Sequence, residues 1–387
     1  MKKISLFLSL LLSSFVAFTS CKDNNNSNNN NNIKTLETDT LKLFVIEKNE
    51  KYGYIDRTGH IIIEPQFEEA HLFHEGLAYV QILGNNGKLK EYYINQIGKI
   101  VINQEFELCK SCFSEGLALI VIRDYKGSYN DEYGWVYNDK YGFIDKTGKC
   151  VINPQFGWAE EFHEGLSCVH IGALGLPDGK HGYINHDGEF IIQPQFHRGE
   201  SFSEGLASVE IGDKWGYIDK TGQTTIPIQF DKAYPFSEGL ARIQIDKKWG
   251  FIDKTGRIII NPTFDYAHDF HEGLAYVEIG EKSGYINKSG QYTIMPQFET
   301  SNDNDEDRFS FDSEYHVTDF SEGLAAVSID GKYYFIEKSG RIAIAQPFYD
   351  VTCFHNGFAR VWWNGEDDSS IIDKTGKIIW TDKFCGL

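Results

Sequence analysis

One stretch of about 34 residues is written nine times along this chain, and a period of that length restricts the fold to a stack of similar modules. A well-preserved copy, KWGYIDKTGQTTIPIQFDKAYPFSEGLARIQI, starts at Lys214 and gives way to the next at Lys248. The glycine of its D-K-T-G segment recurs at Gly59, Gly98, Gly148, Gly188, Gly222, Gly256, Gly290, Gly340 and Gly376, one for each of units one to nine. A position that admits only glycine is what a backbone at positive φ requires, so D-K-T-G reads as a tight hairpin closing with a bulge. The glycine of the W-G pair differs, because Tyr92, Tyr334 and Ser370 replace it in three units. Tyrosine at positive φ is strained, so that glycine is expected to make room for a neighbouring aromatic ring.

Between these points apolar residues fall at every second position, as in Ala207-Ser-Val209-Glu-Ile211, which is the period of a strand. Each unit thus reads as a three-stranded antiparallel meander. Its middle strand carries an isoleucine every time, at Ile55, Ile94, Ile144, Ile184, Ile218, Ile252, Ile286, Ile336 and Ile372. Such invariance marks a core position, worth about 1.5–3 kcal/mol each when buried. The connection to the next unit reads P-Q-F-x-x-A-x-x-F-x-E-G-L-A, with apolar residues three apart that predict one helical or 3₁₀ turn. Its E-G glycine marks the start of the next first strand.

The motifs KYGYIDRTG, KYGFIDKTG, KWGYIDKTG and KWGFIDKTG, each followed by P-Q-F or a variant and then E-G-L-A, resemble the WG (KWG) repeat family across most of the chain. The resemblance implies a bacterial, often exported, β-rich repeat protein and carries over no catalytic residue. The expected fold is all-β: nine three-stranded meanders over residues 41–387, stacked as an open solenoid-like array, with a closed β-propeller as the alternative. Whole units at both ends and a number above the common blade count favour the open form. Insertions at 124–139 and 172–180 occupy the same place in units three and four and are expected to protrude together. A third, acidic insertion lies at 300–318.

The first twenty residues read as a secretory signal, with Lys2 and Lys3 before the apolar run Ile4 to Phe18. Thr19 and Ser20 before Cys21 resemble a bacterial lipobox, although Phe18 stands where leucine is usual, and Cys21 is the expected lipidation site. Residues 21–40, rich in asparagine, form a leash of roughly 25 Å with nothing apolar to bury. The Lys22-Asp23 pair resembles an export signal of surface lipoproteins. These features predict an exported bacterial lipoprotein, at the outer membrane or cell surface, with the periplasmic face as the alternative. A net charge of −19 argues against nucleic acid as a partner.

The search for chemistry finds no G-x-S-x-G, H-E-x-x-H, phosphate loop or dinucleotide fingerprint. The glutamates before the recurring glycine (Glu75, Glu115, Glu164, Glu204, Glu238, Glu272 and Glu322), with His74, His163, His271 and His355 beside that series, offer two readings: backbone capping, which is favoured, or metal binding. Asp56, Asp145, Asp219, Asp253 and Asp373 are read as openers of their turns. Asp303, Asp305, Glu306 and Asp307 only loosely match a calcium loop and read as a solvated loop. Cys109 and Cys112 are expected to form a local disulfide or to stay as buried thiols, with redox and zinc roles behind. Trp135, Trp158, Trp362 and Trp363 are not demanded by the repeat; buried packing is favoured for them, and contact with a ligand is the alternative. No catalytic residue, cofactor or metal is expected. The sequence thus points to a non-enzymatic, membrane-tethered protein that binds another protein or a glycan, with a passive spacer as the second reading and an enzyme as the third.

Overall fold

The computed structural model describes residues 42–103, 107–108, 111–125, 127–130, 134–136, 138–172, 179–300, 317–364 and 369–381. The leader, Cys21 and the asparagine-rich leash lie outside them, as do most of the acidic insertion and Cys109. The described chain is all-β, and each unit is a small antiparallel sheet except that units seven and eight are joined through Glu299 and Ser328 into one sheet of seven strands. Unit five shows the pattern, with Leu206–Ile211, Lys214–Asp219 and Thr224–Phe230 hydrogen-bonded in sequence order.

The connections differ from expectation. The predicted helical turn is instead a two-residue strand, Arg198–Gly199 in unit five, which pairs with the first strand and makes a four-stranded sheet. Equivalent short strands precede the first strands of units two, three, four, six, seven and nine. The residues three apart are apolar for a different reason: Ala233 and Phe236 both enter the core shared by units five and six. After the short strand the chain reverses through the E-G pair, where His74 and Leu77 exchange both backbone hydrogen bonds at 2.9 and 3.0 Å. Both turn residues have positive φ, 50° at Glu75 and 88° at Gly76, which defines the type I′ hairpin suited to twisted strands.

The D-K-T-G turn is as expected. Asp145 Oδ1 accepts from the backbone N–H of Thr147 and Lys149 and from the Thr147 hydroxyl, and Gly148 has φ of 83°. The W-G glycine keeps an ordinary φ, again as expected, but its neighbour is not an aromatic ring. A Cβ at Gly142 would lie 2.4 Å from the Ile152 carbonyl and 2.6 Å from the Pro154 nitrogen. The third strand bulges there, so that Tyr141 faces Phe156 while Phe143 faces Ile152, and the glycine admits the bulged backbone. The units with Tyr92, Tyr334 or Ser370 have Gln104, Gln346 or Asp382 where five of the glycine units have that proline.

The middle-strand isoleucines are fully buried in all nine units. They pack between sheets, because every core cluster joins consecutive units: Trp215, Tyr217, Ile226 and Phe230 of unit five meet Ala233, Phe236, Ala241, Ile243 and Ile252 of unit six. At each of eight junctions the aromatic residue before that isoleucine meets the phenylalanine before the next E-G turn, with ring centroids 4.8–5.0 Å apart, from Tyr54–Phe73 to Phe335–Phe354. Where the residue is tyrosine its hydroxyl also donates across the junction, as Tyr217 does to the Tyr234 carbonyl at 2.7 Å.

The array is the expected stack of meanders, and its first and last units also meet. Phe44, Ile46 and Ile55 of unit one share a core with Ile371 of unit nine. Phe44 and Phe358 make an edge-to-face pair at 4.5 Å, and Arg360 Nη2 donates to the Val45 carbonyl at 2.9 Å. Arg360 repeats at this seam what Arg242, at the same place in unit six, does to the Ala267 carbonyl of unit seven. The turn glycine of unit one, Gly59, lies against Ile379 of unit nine much as Gly222 lies against Ile192 of the unit before it. Whole units at both ends therefore close face to face, without splitting a sheet between the termini.

A double-mutant cycle on Phe44→Ala and Phe358→Ala reads closure directly. The rings contribute about 0.5–1.5 kcal/mol of coupling to the urea-unfolding free energy if the seam is formed. Zero coupling would mean that the ends do not meet in solution.

Candidate functional site

The glutamates of the E-G turns form a belt, which settles their role as backbone capping. Glu164 accepts from the backbone N–H of Gly205, one unit further on, at 3.0 Å, and from the Lys220 ammonium of that unit at 3.1 Å. The same pair of contacts joins Glu75 to Gly116 and Lys146, Glu204 to Gly239 and Lys254, Glu238 to Gly273 and Lys288, and Glu272 to Gly323 and Lys338. His186 replaces lysine opposite Glu115. The lysine of D-K-T-G thus owes its recurrence to a carboxylate in the previous unit. Among the described residues no three His, Cys, Asp or Glu side chains are grouped as a metal ion would require.

A non-glycine residue at positive φ costs on the order of 1–2 kcal/mol, and the belt contacts offset it. Burial alone would raise the Glu204 carboxyl, but Lys254 and the Gly239 N–H hold it below the ordinary range. A depressed folded value adds stability that is present above the unfolded value near 4.5 and is lost as pH falls through the folded one. Glu204→Ala should therefore cost about 1–2 kcal/mol at pH 7, measured by urea unfolding, and the deficit should shrink below pH ~4.

The residues free of repeat duties sit immediately before this belt. Two positions precede the x-F-E-G-type turn phenylalanine in each unit, and they read His71-Leu72, Ser111-Cys112, Glu160-Glu161, Glu200-Ser201, Tyr234-Pro235, His268-Asp269, Thr318-Asp319 and Thr352-Cys353. Their backbone is fixed in common: Glu160 N–H donates to Cys168, Glu200 to Ser208 and His268 to Tyr276. Their side chains follow no common type, and no two pairs are alike. The hairpin therefore delivers a different pair of groups to one level of every junction.

At units four and five these pairs border a cavity of about 400 Å³. Leu119 and Tyr141 of unit three, Trp158, Ala159 and Pro235 supply apolar wall; Glu160, Glu161, His163, Glu200 and Ser201 supply polar wall. The Ser201 hydroxyl donates to Glu160 Oε2. Desolvation, followed by the negative charges of Glu200 and Glu161, pushes the Glu160 carboxyl up to about 8 against the pull of that hydroxyl. Burial also raises Glu200, opposed by the charges of Arg198 and Arg242. Behind the pair, Cys168 is buried, its thiol 3.2 Å from the Gly199 carbonyl and raised by burial well above its usual range. Burial, with His170 and Arg198 near, lowers His181 to about 4, so its ring is neutral at pH 7. Two carboxyls that disfavour simultaneous ionisation, beside an indole, form a site that holds one proton at neutral pH.

A second polar group closes the junctions further on. Arg242 is buried over the Tyr234 ring at 3.8 Å and pairs with Asp269 at 3.0 Å, while Asp319 accepts from His268 at 2.9 Å. These charges are matched by partners within the fold and read as packing.

Of the aromatics singled out in the sequence, Trp158 alone borders the cavity; its ring centroid lies 6.2 Å from that of His181. Trp363 is partly buried against Phe348 and donates to Ser370 at 2.9 Å, and Trp362 lies 6.0 Å from the Arg360 guanidinium, so both serve unit nine. Trp135 belongs to the hairpin Ser128–Asn130 and Gly134–Val136 within the unit-three insertion, and its side chain lies outside the described residues. The Cys112 N–H is bonded to Glu161 at 2.9 Å; the suggested pairing with Cys109 lies outside the described residues. Sequence reading passed over Glu160 and Glu200 because it treated the x-x of A-x-x-F as filler. The available signal was that no residue type prevails at these two positions, whereas the positions around them are nearly constant.

The signature described as WG containing repeat matches residues 52–86, 93–125, 141–172, 182–215, 215–249, 249–282 and 309–333. The chain belongs to the WG-repeat family. No curated protein matches this WG-repeat protein by sequence. Among solved structures, one described as a eukaryotic initiation factor is similar at 10% identity, covering 89% of this chain and 85% of its own, with a TM-score of 0.45. Virginiamycin B lyase from Staphylococcus aureus is similar at 15% identity over 68% and 87% of the two chains, with a TM-score of 0.33. A quinonprotein alcohol dehydrogenase-like protein from Bacteroides thetaiotaomicron gives 12% identity, 80% and 88% coverage and 0.33. At these values they carry no inference about chemistry.

The raised carboxyl makes a signed prediction. Glu160 keeps its proton to higher pH in the folded chain than in the unfolded one, so its contribution to stability is greatest below the unfolded value near 4.5 and declines as pH rises towards about 8. Glu160→Gln should therefore raise Tm relative to the parent at pH 8.5 and change it little at pH 4.5. An equal effect at both values would show that the carboxyl titrates normally.

Proposed function

We propose that this WG-repeat protein is a lipid-anchored binding protein of the bacterial cell envelope, tethered through Cys21 and presenting its ring of sheets, on the asparagine-rich leash, to another protein or a glycan. The observation that carries this reading is the cavity at units four and five, because Glu160, Glu161, Glu200 and Ser201, with Trp158 beside them, are lining side chains the repeat does not prescribe. Trp158 at its border supplies apolar area with one polar handle, as binding surfaces commonly do. A non-catalytic role is part of the reading: the Cys168 thiol lies 3.5 Å from His181 Nδ1, but burial raises it well above its usual range and so disfavours the thiolate, and Ser201 donates to Glu160, a carboxyl that burial keeps protonated at neutral pH.

Two measurements test it. Labelling cells with an alkynyl fatty acid should tag the parent and not Cys21→Ala, and protease added to intact cells should remove the protein if the outer surface is its address. The anchored parent, cross-linked in intact cells, should give defined adducts that Trp158→Ala diminishes several-fold. Unchanged adducts, or none, would leave the spacer reading in place.

A further inference from the structure

The cavity differs from every belt junction in its charge. Along the belt each glutamate but one meets a lysine of the next unit, and the exception, Glu115, meets His186. Glu160 meets a serine hydroxyl, and the charges that act on it are the two acids Glu200 and Glu161. The cations that face the cluster, Arg198 and Arg242, act on Glu200. The fold thus assembles acids from units four and five around an open volume and supplies Glu160 with no cation of its own among the described residues.

We propose that this cavity receives an alkylammonium group, with Glu160 and Glu200 as its counter-ions and Trp158 and Tyr141 as the wall for its methylenes. The shape and the lining agree on that class. A volume of about 400 Å³ falls in the range of small-ligand sites. An ammonium on an alkyl stem needs acceptors at one end and apolar or aromatic surface along its length. A bare metal ion uses only the first, and among the described residues no metal-type group of three ligands occurs. A neutral sugar uses the aromatic wall but leaves two crowded carboxyls uncompensated. The same chemistry comes from two sources, a lysine side chain of a partner protein or a free diamine. The inference rests on the binding reading above and specifies its ligand class.

Binding exchanges one positive charge for another. At pH 7 the free site holds a proton on the carboxyl pair; the incoming ammonium takes its place, and that proton passes to buffer.

Calorimetry of the full mature chain in detergent micelles, with 1,5-diaminopentane, a tetralysine peptide and the neutral 1,5-pentanediol as probes, tests this. The diamine or the peptide should bind and the diol should not; a peptide at least tenfold tighter than the diamine identifies a protein partner as the source, and equal affinities identify a free amine. Glu160→Gln and Glu200→Gln should each weaken binding tenfold or more, Trp158→Ala several-fold, and the exposed Glu281→Gln not at all. The binding heat should vary with the ionisation enthalpy of the buffer in the parent and lose that dependence in Glu160→Gln. Amine binding unchanged in Glu160→Gln would show only attraction to a chain of net charge −19 and would overturn the inference. Binding of a neutral oligosaccharide that requires Trp158 and ignores Glu160 would overturn it too, while leaving the binding reading intact. No response to amines or to a panel of neutral oligosaccharides, with no cross-linked adducts in cells, would overturn both.

Discussion

A sheet of four short strands, one of them two residues long, has two faces and no interior. Its isoleucines and aromatic rings leave water only when another sheet covers each face, so the unit is not stable alone and its stability resides in the junctions. The junctions here are built alike: an aromatic pair and an isoleucine behind a turn glycine, joined at five of the eight by a tyrosine hydroxyl reaching a carbonyl of the next unit. A linear stack would leave one such face open at each end. The seam between units one and nine removes both open faces, with Phe44 and Phe358 supplying the ring pair and Arg360 reaching the Val45 carbonyl.

The belt shows how strain and cohesion are coupled. A type I′ hairpin needs two residues at positive φ, and asparagine or glycine would meet that need most easily at the first of them. Seven units instead place glutamate there, and only the ninth has asparagine, at Asn356. The conformation projects the carboxylate towards the next unit, where it meets a backbone N–H and a lysine at once. Local cost is thus exchanged for a contact between units, and the exchange stops at the seam. Unit nine has Asn356 in place of the acid, and unit two, which follows a unit with no E-G turn, has Gln96 in place of the lysine. At the junction of units one and two both charges are thus absent, whereas at the seam unit nine lacks the acid and unit one keeps a cation, Arg57.

Much of this was legible because repetition separates requirement from accident. Nine isoleucines at one position meant a core, nine glycines at one turn meant positive φ, and both are as read. The failures have one physical origin: a strand pattern shows which face is buried but not what lies against it. The W-G glycine was therefore assigned to an aromatic ring, when it admits the bulged backbone of the third strand. The P-Q-F connection was given a helical turn, since apolar spacing of three fits a helix as well as a short strand followed by a tight reversal. The contact between units one and nine was hidden for the same reason. Seam contacts between residues over three hundred positions apart use Phe44, which stands where Ala207, Ala241 and Ala359 do in their units, and Arg360, matched only by Arg242.

The position of the candidate site follows from the same division of labour. Inside the sheets every side chain faces a neighbour that is itself fixed, so substitution there disturbs two junctions at once. The pair before the turn phenylalanine is exempt, because its first backbone N–H is used by the first strand and its first C=O by a tyrosine hydroxyl of the previous unit, as at Glu200 and Tyr234, or by the Ser167 hydroxyl at Glu160. A ring of this kind therefore offers at each junction two positions, held on a rigid backbone, whose chemistry is free. In units seven and eight those positions are spent on closed pairs such as His268 with Asp319. In units four and five they hold three carboxyls and a serine, beside Trp158 and an open volume, and Glu160 there has no cation of its own among the described residues.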